Sequence, residues 1–348
     1  MEKILTIVVP TYNMEAYLDE CLSSMIMEDM SLMEALEVIV VNDGSKDNSL
    51  NIALSYKERF PNTFVVIDKE NGNYGSCVNR GLKEATGKYF RIVDADDWVD
   101  TTALQEFLIK LSKCASDLVF TKYVKVHETN VVYAYSSRID TDRLYDVNTM
   151  KYHYYDAHMQ MHGMTYKTSV LKACDMCLLE GVSYTDAEYC FYPLSVVNTV
   201  LFYDIILYHY RADRDGQTMS ASALMKSTDS LFKVSKRIVE SFDGIRESNM
   251  DNARTAMRFQ VSERLLKLYY YVVLHNCHKL ETSNNQLKEI YEIVMNKPLL
   301  IEALRSYKLN KVRFVKLWED FGIYNSSPIF MLYNSIYAIL RKMKLFWE

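Results

Sequence analysis

Four short apolar runs, each closing on a polar loop, dominate the first hundred residues: KILTIVV from Lys3, LEVIVV from Leu36, FVVID from Phe64 and KYFRIV from Lys88. Runs this short, rich in β-branched residues and not alternating with polar ones, read as strands buried on both faces, the pattern of a parallel sheet. Helical periodicity fills the intervals. Met14 to about Met27 sets Tyr17, Leu18, Cys21, Leu22 and Met25 on one face; a second helix runs from near Asp47 and Ser49 toward Arg59. A third passes through Asn79, Leu82 and Ala85, and a fourth, over 101–112, aligns Leu104, Phe107, Leu108 and Leu111. Strand and helix alternating in this way predict an α/β chain with a doubly wound, mostly parallel, Rossmann-like sheet. The loops after the strands, PTYN, NDGS, DKENGN and DADD, should then gather along the edge where open parallel sheets bind ligands. Pro10 is read as ending the first strand, Asn13 as capping the next helix, and Gly87 as the left-handed residue that closes the third.

The last of these loops carries Asp94, Asp96 and Asp97, three carboxylates within four residues. In extended chain Asp94 and Asp96 share a face, because side chains alternate with period two. Like charges so close call for a positive partner, and a hard divalent cation, Mn²⁺ or Mg²⁺, carrying a phosphate-bearing substrate meets that need. A solvated loop with Asp97 capping the following helix accounts for the stretch equally well.

Beyond residue 116 the periodicity changes. Residues 117–135 read as a hairpin or mixed strand segment, and Thr168–Cys174 as a short helix. Tyr184–Tyr189 opens a helix toward Val196, Val200–Arg211 is one strand or two, and 211–220 is a polar loop. Past Ser220 the chain turns helical, with Met257, Val261, Leu265, Leu268 and Val272 at core spacing, so two domains are expected, 1–220 and 221–348. At 348 residues, 49% of them hydrophobic, the chain can bury a catalytic core and an accessory region. The net charge of −5 hides an asymmetry: residues 1–220 hold 32 acidic and 20 basic side chains, residues 221–348 hold 13 and 20. The acidic part suits a divalent metal and gives no footprint for nucleic acid. The basic part suits an anionic membrane face, an acidic polymer, or docking on the acidic part. Seven cysteines, an odd number, indicate reduced thiols, and the pair Cys174 and Cys177 has no second pair at zinc spacing. MEKILTIVVP is too short for a signal peptide, and the tract from Pro328 to Leu340 is too short to span a bilayer, so a cytoplasmic protein, peripheral at the inner membrane face or free of it, is expected. The last helix, Ile329 to Trp347, fits packing on the bundle or lying at a membrane surface; a homo-oligomer stays open.

VVPTYN, EVIVVNDGSKDNS and NGNYGSCVNRGLKEATGKYFRIVDADDW, in that order, resemble the family 2 glycosyltransferases, in particular the bacterial branch that builds polysaccharide and cell-wall glycopolymers. The similarity is strong over residues 3–100 and weak over 160–220. It implies a GT-A fold, a nucleotide-diphospho-sugar donor (UDP-linked), a divalent metal, a glycan or glycolipid acceptor, and transfer with inversion. Pro10, Thr11 and Tyr12 match the loop that holds the nucleobase, with the Tyr12 ring suited to stacking on it. Asp43 matches the carboxylate that hydrogen-bonds the base. Asn71, Gly72 and Gly75 stand where backbone approaches the nucleotide, unless they form an ordinary loop before a helix. Asp94 addresses the ribose and neighbouring sugar; Ala95 lies between it and Asp96, the metal ligand.

Inverting transfer needs a base for the acceptor proton. Family members place it as an Asp after a Glu at a helix start, which maps onto Asp186 in EGVSYTDAEY, with Thr185 where Glu is expected. Glu188 is the alternative base, and a plain helix cap is the alternative role. His209 is a candidate to complete the metal shell, unless it is structural. Arg211 and Arg214 are candidates for the diphosphate, unless they form surface ion pairs, and the loop around Gly216 and Gln217 for a lid. A nucleotide-sugar-binding partner without catalysis is the second reading, supported by Thr185. A sugar nucleotidyltransferase lacks its Gly-rich loop after the first strand, and a dehydrogenase lacks its GxGxxG.

Overall fold

The computed structural model describes residues 2–126, 131–133, 139–152, 158–174, 176–212, 221–243, 252–274, 281–308, 313–322, 327–328 and 332. The chain divides into two compact units, Met1–Asp215 with Asp251–Met257, and Gly216–Met250 with Arg258–Glu348.

The strands of the first unit are β1 (Leu5–Thr11), β2 (Leu36–Asn42), β3 (Phe64–Asp68), β4 (Tyr89–Ile92), β5 (Trp98–Val99), β6 (Leu118–Val126), β7 (Val131–Tyr133), β8 (Leu144–Asp146), β9 (Met164–Lys167) and β10 (Thr199–Arg211). Its helices are α1 (Leu18–Ser23), α2 (Met30–Ala35), α3 (Ser49–Arg59), α4 (Asn73–Glu84), α5 (Thr101–Lys113), α6 (Thr168–Ala173) and α7 (Asp186–Phe191). The sheet runs β3-β2-β1-β4-β9-β6-β10-β5, with β7 on β6 and β8 on β10. From β3 to β4 it is parallel, and every residue of β1, β2 and β4 is buried, which is why these runs show no polar alternation. Each Val, Ile or Leu so buried contributes about 1.5–3 kcal/mol.

Several local expectations change in three dimensions. Pro10 lies within β1, opposite Val41, and does not end it; pairing with β4 stops at Val8–Ile92, so the donor that proline lacks is not needed there. Asn13 does not cap α1, which begins only at Leu18; at φ 53° its amide oxygen accepts from Lys46 N at 2.8 Å and its N–H donates to Ser45 Oγ at 3.0 Å, tying the β1 and β2 loops together. Gly87 is not left-handed. It is needed because a Cβ there would lie 2.5 Å from Thr6 N, on the neighbouring strand. Asp100, not Asp97, caps α5, accepting from Ala103 N at 2.7 Å. The helix opening at Asp186 ends at Phe191, and Pro193 starts a 3₁₀ turn in place of its continuation.

Beyond β4 the pairing is mixed. β9 runs antiparallel between β4 and β6, and β10 lies parallel to β6 but antiparallel to β5 and β8. Residues 199–211 form one strand, irregular between Phe202 and Tyr208, whose end sets Tyr208 and His209 opposite Val99 and Trp98. That crossing carries the end of β10 to the loop after β4.

The second unit is helical: α8 (Ala221–Lys226), α9 (Thr228–Ser241), most of α10 (Ala253–Val272), α11 (Glu281–Met295), α12 (Pro298–Ser306) and α13 (Phe314–Phe321). Val261, Leu265 and Val272 of α10 are buried, as their spacing predicts, whereas Leu268 is only half-buried. Trp318 meets Tyr270 and Tyr291 edge-on. Arg305 of α12 pairs with Glu319 of α13 and holds its carboxyl below the usual glutamate value. A carboxyl with a depressed folded pKa stabilises above its unfolded value and loses that contribution as pH falls through the folded one. Both side chains keep some solvent contact, so Glu319→Gln is expected to cost only about 1 kcal/mol near neutrality. The gap between the unfolding midpoints of variant and wild type should close below the carboxyl range; a gap unchanged at pH 3 would remove the ion pair as its source. Among the described residues no helix is long and apolar enough to cross a membrane. The proposed terminal helix, Ile329 to Trp347, lies almost wholly outside the described residues.

Candidate active site

The carboxyl ends of β2, β1 and β4 are neighbours, so their loops form one continuous edge, in two adjoining groups of side chains. The first centres on Asp43, which is 2% exposed. Its Oδ1 accepts from Gly72 N at 2.9 Å and from Lys69 Nζ, its own carbonyl accepts from Asn71 Nδ2 at 2.9 Å, and its N–H bonds Thr11 O. Gly44 completes the turn at φ 72°. Thr11 is buried, whereas the Tyr12 ring is 46% exposed beside it. Of the residues expected at the nucleotide, Pro10, Thr11, Tyr12, Asp43, Asn71 and Gly72 therefore meet here. Lys69 was missed: an isolated Lys in a polar loop carries no local signal, and only the β2–β3 pairing delivers it to Asp43.

The second group surrounds the loop after β4. A turn over Ala95 and Asp96, closed by Asp97 N to Asp94 O at 3.0 Å, breaks the alternation expected of extended chain. Asp97 is 1% exposed; its carboxylate accepts from the Tyr208 hydroxyl and, at 2.7 Å, from Arg211 N. Burial first, then the charges of Asp96 and Asp94, push its pKa well above the usual carboxylate range. Asp94 accepts from the Tyr74 hydroxyl at 2.8 Å, and its carbonyl meets Cys21 Sγ at 3.6 Å. Burial and the charges of Asp94 and Asp186 hold that tyrosine well above its ordinary value, so Asp186 lies within electrostatic reach of the same hydroxyl.

Asp94, Asp97 and His162 can each bring a ligand atom within 4.8 Å of the others. Two carboxylates and an imidazole suit a divalent cation, which would offset the repulsion between the neighbouring carboxylates. His162 sits on the 3₁₀ turn Met161–Gly163, between the rings of Tyr123, Tyr208 and Tyr210, and its carbonyl is held by the fully buried Arg91. Sequence patterns missed His162 because Tyr152 to Met164, rich in Tyr, His and Met, carries no clear period. His209 is not brought into this set. Its ring lies flat on Trp98, at 5.4 Å and 13°, and burial lowers its pKa. Asp96, at the turn's apex, is half-buried. The Arg211 guanidinium stacks over Trp98, donates to Asp96 O at 2.9 Å and pairs with Glu20. Arg214, Gly216 and Gln217 lie outside the described residues.

Asp186 opens α7 after the N-cap residue Thr185, and Tyr184 before it, at φ 68°, turns the chain sharply into the helix. Glu188 points elsewhere: it is fully buried and accepts from Leu179 N at 2.7 Å. Thr185 is also fully buried, its hydroxyl oxygen without a partner among the described residues. Gly75 lies within the first turn of α4, against the loop before α7. A Cβ on it would lie 2.0 Å from Leu179 O, so it is the contact through which α4 and the loop before α7 pack.

Residues 6–176 match the model of "Glycosyl transferase family 2". The chain is 26% identical to the putative glycosyltransferase EpsH of Bacillus subtilis over 84% of its own length and 81% of that protein. It is 26% identical to the poly(ribitol-phosphate) beta-N-acetylglucosaminyltransferase TarS of Staphylococcus aureus, over 92% of this chain and 54% of TarS. The glycosyltransferase GlyA of Streptococcus pneumoniae is 30% identical over 41% of this chain, which spans only 20% of GlyA. The crystal structure of S. aureus TarS 1–349 in complex with UDP-GlcNAc superposes with a TM-score of 0.60 at 19% identity, over 92% of this chain and 93% of that one, a likeness of fold. The matched segment, just under half of the chain, covers the very strand tips that carry Asp43 and Asp94, so residues 6–176 are those of a family 2 glycosyltransferase, on a GT-A fold.

Proposed function

We propose that this protein transfers a sugar, with inversion, from a UDP-linked donor to an acceptor hydroxyl of a bacterial polysaccharide or glycopolymer, with a divalent cation at Asp94, Asp97 and His162. The observation that carries this reading is the grouping of Asp43, Asp94 and Asp97 along one sheet edge, with the charge of Asp186 acting on the hydroxyl that Asp94 holds. His162 is preferred to His209 for the cation because, among the described residues, it is the imidazole whose ligand atom lies with those of Asp94 and Asp97. UDP is preferred because an aspartate acceptor at Asp43 suits the uracil imide, and because the TarS complex holds UDP-GlcNAc.

In this reading Tyr12 stacks on the base and Asp94 accepts from ribose and sugar hydroxyls. Arg211, already bound to the Asp96 carbonyl, meets the diphosphate. Asp186 takes the proton of the acceptor hydroxyl as its oxygen attacks the anomeric carbon from the face opposite the diphosphate. The new bond from carbon to acceptor oxygen forms while the bond to phosphate breaks, and the electron pair leaves with the nucleoside diphosphate. A bound cation supplies Lewis-acid stabilisation of charge on that leaving group.

A panel of nucleotide sugars read by thermal unfolding, with and without Mn²⁺, checks the reading. A UDP-sugar at about a hundred times its Kd should stabilise the fold by about 2.7 kcal/mol, and less when Mn²⁺ is withheld. No shift with any nucleotide sugar would sink it. The buried Thr185, where family members carry Glu, favours a second reading, a donor-binding partner without turnover. Donor and acceptor supplied together separate the two, since only an enzyme releases nucleoside diphosphate.

A further inference from the structure

The loop after β3 does more than border the nucleobase pocket. Lys69 Nζ donates to Asp43 Oδ1, to Glu70 O at 2.8 Å and to Ser76 Oγ at 2.8 Å, so its three N–H bonds are all directed. Gly72 N is a second donor to the same Oδ1, at 2.9 Å. The arrangement is built around an absent side chain. A Cβ on Gly72 would lie 2.6 Å from Ser76 Oγ and 3.3 Å from Lys69 Nζ, displacing the pair that aims the lysine. The Asp43 backbone is pinned by the same loop through Asn71 Nδ2.

The geometry points to Lys69, with Gly72 N–H, as the positioning element that makes the site discriminate between pyrimidines. Two N–H donors converge on Oδ1 and the Cys77 thiol lies beside the same carboxylate, so Oδ2 is the oxygen that the lysine and the backbone leave for a base. An acceptor there suits uracil, whose N3 carries a hydrogen, and opposes cytosine, whose N3 is itself an acceptor. The two bases are the same size, so the discrimination rests on hydrogen-bond direction, and leaving a polar group unmatched is costly. This inference rests on the nucleotide-sugar reading of the site. It adds a residue that the loop pattern did not single out.

The clamp makes a directional prediction. In Asp43→Asn, Lys69 and Gly72 N–H still require an acceptor, so the amide must turn its oxygen toward them and its NH₂ toward the base. The preference between UDP and CDP should then invert. In Lys69→Met, which keeps the aliphatic stem, the carboxylate is released from one of its two N–H donors. UDP affinity should fall on the order of tenfold, and the UDP-to-CDP ratio should shrink with it.

The experiment is titration of the full chain with UDP and with CDP, each with Mn²⁺, for wild type, Lys69→Met and Asp43→Asn. Unfolding midpoints without nucleotide establish that each variant is folded. A general loss of packing would weaken both nucleotides alike, whereas a lost clamp moves their ratio. Wild type favouring UDP at least tenfold, with the ratio shrinking in Lys69→Met and inverting in Asp43→Asn, supports the inference. A ratio unchanged in Lys69→Met, or a preference for UDP retained in Asp43→Asn, overturns it while leaving the transferase reading standing. Binding of neither nucleotide to wild type overturns both.

Discussion

Asp186→Asn is expected to slow release of nucleoside diphosphate by about a thousandfold, within the range that a lost general base costs, while binding of the donor stays within about threefold of wild type. An amide keeps the size of the side chain and its place at the start of α7, yet cannot take a proton. The charge of Asp186 reaches the Tyr74 hydroxyl, which itself donates to Asp94, and this is the support for the base role proposed for it. Glu188→Gln is the matched control. Glu188 is fully buried and accepts the Leu179 N–H, and an amide oxygen can do the same, so that change should bear on stability more than on turnover. Steady-state release of UDP, beside donor titration by thermal shift, measures both quantities. Near-normal turnover in Asp186→Asn would remove it as the base, and collapse of turnover in Glu188→Gln alone would hand the role to Glu188.

Gly75→Ala is expected to destabilise the first unit by about 3 kcal/mol or more, toward the upper end of what overpacking costs. The added methyl would sit 2.0 Å from the Leu179 carbonyl oxygen and 3.3 Å from Leu178 Cβ. A backbone carbonyl cannot rotate away as a flexible side chain can, so the loop before α7 must move. That loop is fastened at several points: Leu179 N to Glu188, Gly181 N to Gly72 O at 2.8 Å, and Leu178 through both its N–H and carbonyl to Asn79. Displacing it shifts Asp186 relative to α4, so activity should fall further than stability alone accounts for. Gly181→Ala makes the comparison. Gly181 has φ 73° with nothing within 4 Å of its Cβ position, so only backbone strain applies, about 1–2 kcal/mol. Chemical denaturation of the three proteins orders them, and equal losses at the two glycines would contradict the contact with Leu179.

The parallel half of the sheet was legible because its signal is local. Strands buried on both faces must be apolar throughout, and β1, β2 and β4 are. The same locality misled at Gly87 and fell short at Gly75. Glycine in a turn suggests positive φ or a ligand's approach, but a sequence does not say which other chain segment is close. Both residues prove to be contacts with a distant segment, Leu179 in one case and Thr6 in the other. The mixed pairing beyond β4 was harder to foresee, since β9 and β10 reach their neighbours only after long excursions.

What the order of residues determined alone is the succession of strands and the polar loop at the tip of each, because burial on both faces and turn chemistry act within a few residues. Which carboxylate meets which partner was decided only by the folded chain. Asp94 and Asp97, not Asp94 and Asp96, come together with His162, because a turn rotates the loop and a separate 3₁₀ turn supplies the imidazole. Lys69 reaches Asp43 because β2 and β3 are paired. Charge and hydrogen bonding act through space, and residues 26 or more positions apart become neighbours only when the sheet is formed.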